Sequence, residues 1–175
     1  MSGAILRGEA TGLWRDLVLD GEARSATTLE EDVEAYLVFV LMRHLGDSSL
    51  LRRTMALELL DALESSGRTR LDELRDVGDR CLLISGMFPR LATRRRVGAQ
   101  YFADLGRGAY AHVADATQMA SAELFARLAA GFDAMVAVLA HAAAQVQYRS
   151  DGQPTLTSAC APALLCVGDP GRRVH

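Results

Sequence analysis

Metal centres and acid–base pairs in helical proteins need histidines, cysteines and carboxylates at set helical spacings, and this chain spaces them otherwise. Di-metal bundles draw on Glu-x-x-His from two helices, and zinc-dependent hydrolases on His-Glu-x-x-His; neither motif occurs. His44, His112 and His141 fall on three different expected helices and His175 ends the sequence. No metal and no cofactor is therefore expected. His44 lies near a helix C-terminus, where an imidazolium suits the helix dipole. Cys160 and Cys166 have a spacing unlike that of zinc or redox pairs, and Cys81 sits on an apolar stripe as a small core residue. Gly106 and Gly108 lie inside a helical pattern rather than between a strand and a helix, so they do not form a dinucleotide fingerprint. The nucleophile elbow Gly-x-Ser-x-Gly is missing as well.

Two groups of side chains remain as candidates. The first is a ligand set of Asp79, Arg80, Arg94, Tyr101 and His112. Asp79 and Arg80 lie where a charged helix turns apolar, so one or both are expected to be partly desolvated and paired. Tyr101 and His112 share a helix flank with Gly108, whose missing side chain leaves a groove for a small or anionic ligand. The second is the cluster Arg90, Arg94, Arg95 and Arg96 ahead of a helix, suited to a phosphate, a carboxylate or a nucleic-acid backbone. Against it stands composition. All 19 basic residues are arginine, with no lysine and no asparagine, the mark of a GC-rich bacterial genome rather than of selection for the guanidinium fork. A net charge of −3 also speaks against a general nucleic-acid binder. Asp104 and Arg107, three apart on one helix, read as a surface ion pair.

The elements that would position these groups are helices. At 175 residues, half of them hydrophobic, the chain fits one domain with a packed core. Residues 9–23 read as a first amphipathic helix around Leu13, Trp14, Leu17 and Val18. Thr28 followed by Glu31 is a capping-box pattern opening a helix to about residue 45, stopped by Gly46. Its middle, residues 35–42, is apolar on every side, so this helix (about 29–45) is expected at the centre of the bundle. A third helix, about 49–65, is capped by Asp47 or Ser48 and ends at Ser65, Ser66 and Gly67. A fourth, about 68–87, carries Asp72, Asp76 and Asp79 on an outer face in its first half, becomes apolar all round at 81–87, and stops before Pro89. Leu83 points outward in this pattern.

The fifth helix, about 97–114, has Gly98, Phe102, Leu105, Ala109 and Val113 on its inward stripe. Glycines at 98, 106 and 108 each cost about 1 kcal/mol against alanine, and close helix approach at Gly98 and Gly106 is the expected return. Helices at about 121–130 and 132–147 meet near Gly131, and the composition beyond Tyr148 reads as a loosely held tail, 149–175, in which residues 163–167 could dock. The expected domain is thus residues 1–148, an all-α bundle of six or seven helices. No apolar run approaches the about 20 residues that span a bilayer, and no secretory leader is evident. A cytoplasmic protein with reduced cysteines is the expectation.

The stretches GDRCLLISGMFP at 78–89 and YFADLGRGAY at 101–110 resemble a group of bacterial all-helical proteins sharing an SGxFP helix end and a YxxxGxxAY helix. The resemblance runs from about Trp14 to about Leu139 and implies the helical fold; no activity, cofactor or catalytic residue comes with it. Phe102 stands where the group has a second tyrosine, which counts against a role for a hydroxyl there. The function expected is non-enzymatic: protein contact, self-association included, on the strength of the outward Leu83 and the alanine-rich last helix. The ligand set above is the alternative, and weak nucleic-acid binding through the arginine cluster is a third.

Overall fold

The structure, a computed structural model, describes residues 2–44, 55–90, 98–118 and 120–152. Among the described residues seven helices follow one another: α1 (Ser2–Ser25), α2 (Glu31–His44), α3 (Met55–Glu64), α4 (Gly67–Gly86), α5 (Ala99–Ala116), α6 (Ala120–Ala130) and α7 (Phe132–Gly152). Among the described residues there is no strand, and the all-helical bundle expected from the apolar periodicity is what the chain forms.

α1 and α2 form an antiparallel pair, tied by Arg15 to Glu34 at 3.1 Å and by the Thr11 hydroxyl to the Met42 sulfur at 3.5 Å. Glu34 donates its backbone N–H to the Glu30 carbonyl, so Glu30 caps α2 and the exposed Thr28 does not. The linker leading into α2 is held instead by the Glu22 carboxylate, which accepts the Leu29 N–H at 2.6 Å. Gly67, at φ +62°, makes the left-handed turn between α3 and α4 that an L side chain would strain.

α4 packs against α2, α3, α5 and α7, its contact with α5 being the most extensive among the described helices. Its residues from Val77 to Gly86 are buried without a gap. α2 contributes Val33, Tyr36, Leu37, Val38, Val40 and Leu41 to the same core and turns Ala35, Phe39 and Met42 outward. α7 crosses close to α5 because Gly106 has no side chain: a Cβ there would sit 2.6 Å from the Phe132 ring and 2.8 Å from the Cys81 Cβ. The expected return on that glycine is real, whereas Gly98 caps α5 at its exposed end with open space around it. At Gly131 the chain bends by 66° between α6 and α7.

Three further expectations are revised. Leu83 is fully buried, and so is Asp79, although both share a helical face with the exposed Asp72. The face that α4 shows to solvent at its first turns is covered further along by α2 and α5, so one outer stripe becomes an inner one. The last helix also runs past Tyr148 to Gly152, placing residues 149–152 in α7 rather than in a tail. The proposed cap at Asp47 or Ser48, residues 94–96, and residues 153–175 with Cys160, Cys166 and His175 lie outside the described residues. Among the described residues no single helix is long and apolar enough to cross a membrane.

Candidate functional site

The most polar point of the interior is Asp79, on the buried half of α4, with no exposure at all. A carboxylate removed from water needs donors for its lone pairs, and α2 and α5 supply them. Tyr36 of α2 donates its hydroxyl to Oδ1 at 2.7 Å, and Tyr110 of α5 donates to the same oxygen at 2.9 Å. His44, at the end of α2, places Nε2 3.3 Å from Oδ2, and Arg43 lies 3.8 Å from that oxygen. Local sequence explains each placement. Tyr36 and His44 are eight residues apart on α2, so they share its inward flank. Tyr110 crosses α4 directly over Gly78, where a Cβ would collide with its ring, and the adjacent Asp79 then meets its hydroxyl.

Around this centre lies a second layer. Arg75 donates Nε to the Tyr36 hydroxyl at 3.0 Å and stacks its guanidinium 4.8 Å from the Phe39 ring centre. The rings of Tyr36 and Tyr110 meet edge to face at 6.1 Å, with Phe125 packed against both. Arg43 reaches Asp76 at 3.4 Å, Asp76 accepts from Arg80 at 3.2 Å, and Arg80 reaches Glu58 at 2.8 Å, a run of alternating charge across α2, α4 and α3. Burial first, and the Asp79 charge second, push the Tyr36 and Tyr110 hydroxyls well above the usual phenol range. Both remain protonated donors at neutral pH. Burial likewise pushes the Cys81 thiol up to about 12, so it offers no thiolate.

Enclosed in this way, Asp79 is an acceptor that fixes α2, α4 and α5 in register, not a base open to a substrate. The chain matches no protein-family model, no curated protein and no solved structure. Among the described residues, no group of three or more His, Cys, Asp or Glu side chains is placed to hold a metal ion.

The ligand set expected from sequence does not converge. Asp79 and Arg80 are both buried, Asp79 beside His44 and Arg80 paired with Glu58. Tyr101 and His112 lie on the opposite flank of α5 from Tyr110, both exposed, with Tyr101 packed edge to face on Phe102. Gly108 between them faces open space. Arg94 lies outside the described residues, as do Arg95 and Arg96, while Arg90 is exposed. Asp104 and Arg107 pair on the surface at 3.0 Å as their spacing implies, and Arg107 extends to Asp133 at 2.6 Å. His44, read from sequence as a helix-end imidazole, is a buried member of the Asp79 cluster. Sequence reading missed Tyr36, Tyr110 and Arg75. The available signal was clearest at Tyr36, the one polar side chain in the apolar stretch 35–42, whose hydroxyl must find a partner when buried.

Proposed function

We propose that this is a cytoplasmic protein that works through protein contact, foremost with a second copy of itself, rather than through catalysis. One observation carries the reading. α2 is apolar all round at its middle, yet Phe39 and Met42 remain 42% and 40% exposed. Arg75 covers one side of Phe39, and Arg43 and Asp76 form the rim. Aromatic, methionine and arginine side chains gathered on one face are the composition that interface centres favour. Both charge signs sit beside the apolar pair, so the face is complementary to itself under a two-fold axis, the commonest symmetry of soluble oligomers. Leu83, buried in α4, plays no part in it.

Sedimentation velocity over a micromolar range tests this. The wild-type chain is expected to sediment as a dimer. Phe39→Glu should leave the helical circular dichroism unchanged while shifting the chain to monomer, because it places two carboxylates face to face across the axis. A wild-type chain that stays monomeric throughout that range sinks the reading.

A further inference from the structure

α3 presents a second apolar face that differs from that of α2 in charge and in position. Its inward side is Ala62, buried, with Leu59 and Leu63 packed half-exposed against the core. Leu57 and Leu60 project the other way, 60% and 57% exposed, the most exposed large apolar side chains described. Asp61 and Glu64 are exposed on the same arc of the helix. Glu58, turned toward α4, is engaged by Arg80 at 2.8 Å and does not belong to this face. No residue of α3 is basic. Two exposed leucines near one turn apart, bordered by two carboxylates, make an apolar ridge on the outer face of α3.

Charge decides what complements it. A second copy applied to the same face would set Asp61 and Glu64 against their own images, a like-charge contact that opposes association. An amphipathic helix carrying apolar residues at i and i+3 or i+4, flanked by lysine or arginine, matches both the leucines and the carboxylates. We propose that the outer face of α3 docks a basic amphipathic helix of a partner protein. This goes beyond self-association through α2, since it uses another helix and another class of partner. The run of ion pairs linking Arg43, Asp76, Arg80 and Glu58 lies between α2 and α3, so both faces can be occupied together.

The probe is a labelled synthetic helix of leucine and lysine in helical spacing, with a leucine–glutamate helix as control, followed by fluorescence anisotropy on the full chain. The lysine peptide should bind with micromolar affinity and more weakly as salt rises, because part of the attraction is screened charge. The glutamate peptide should bind at least about tenfold more weakly. Leu57→Glu combined with Leu60→Glu should lower affinity for the lysine peptide by at least about tenfold and leave sedimentation unchanged. Asp61→Asn combined with Glu64→Gln, which keeps the leucines, should lower affinity and flatten the salt dependence; it also serves if the leucine variant fails to fold. Equal binding of the two peptides, no binding of the lysine peptide, or undiminished binding by both variants overturns the proposal. So does a change of oligomeric state in the leucine variant, which would assign the face to a second copy. The Phe39→Glu experiment fails or succeeds independently of all these outcomes.

Discussion

At the scale of single residues, the molecule is organised around one carboxylate. Asp79 accepts two phenol hydroxyls on one oxygen and faces an imidazole and a guanidinium on the other. Each donor is worth more through what its loss would strand than through what it contributes when present. Tyr110→Phe removes one hydroxyl and leaves the ring, so packing over Gly78 is kept while Asp79 loses a donor. We expect a loss of about 1–3 kcal/mol, seen as a lower midpoint in urea unfolding with an unchanged slope. Asp79→Asn should cost at least as much, because its neutral amide turns an N–H2 donor toward the Arg43 guanidinium where a carboxylate oxygen stood. A variant as stable as wild type would show that the cluster contributes nothing. Asp79 and Arg80 could be read from sequence as desolvated, since both precede an all-apolar stretch. Their partners could not, because Tyr36 and Tyr110 lie 43 and 31 residues away along the chain.

At the scale of helices, approach distance is set by where side chains are missing. α5 meets α4 and α7 at Gly106, with the Phe132 ring and Cys81 in the space a methyl group would need. Gly106→Ala should improve helix propensity by about 1 kcal/mol and yet destabilise the protein by about 1–3 kcal/mol net through overpacking. Gly106→Ala with Phe132→Leu should recover part of the loss, because the smaller side chain yields the contested volume. Calorimetry of the single and double variants checks this, and additive losses would count against a shared contact. Gly108, on the open side of the same helix, supplies the contrast: alanine there meets nothing and should stabilise by up to about 1 kcal/mol. Both glycines read alike along the sequence up to their helical phase, and the phase sorted them correctly.

At the scale of the whole molecule, three buried protons link stability to alkaline pH. Tyr36, Tyr110 and Cys81 all have folded-state pKa values raised by burial, the thiol to about 12. In the unfolded chain the thiol and the phenols ionise near their ordinary values of 9.0 and 10.0, so there the unfolded state binds fewer protons than the folded state. Stability from these groups is therefore complete below about pH 9 and falls as pH rises toward the folded values. Each group contributes a slope of about 1.4 kcal/mol per pH unit once its unfolded form has ionised. Urea midpoints measured from pH 7 to pH 12 should fall with increasing steepness, and Cys81→Ala should reduce the fall between about pH 9 and pH 10. In the native state at neutral pH the same thiol should react slowly with a disulfide reagent, and rapidly once urea opens the core.

The sequence by itself determined that the chain is helical and where most helices begin and end, because these follow from local periodicity and from breaks at Gly67, Pro89 and Gly131. It also marked Asp79 as a residue in an apolar setting. Only the tertiary structure decided what faces what. The face shared by Asp72, Asp76, Asp79 and Leu83 has one helical phase, and phase cannot tell that α2 and α5 cover its second half while leaving its first half wet. For the same reason Leu83 is buried while Phe39 and Met42 are exposed: each side of a helix becomes interior or surface according to neighbours that are distant in sequence.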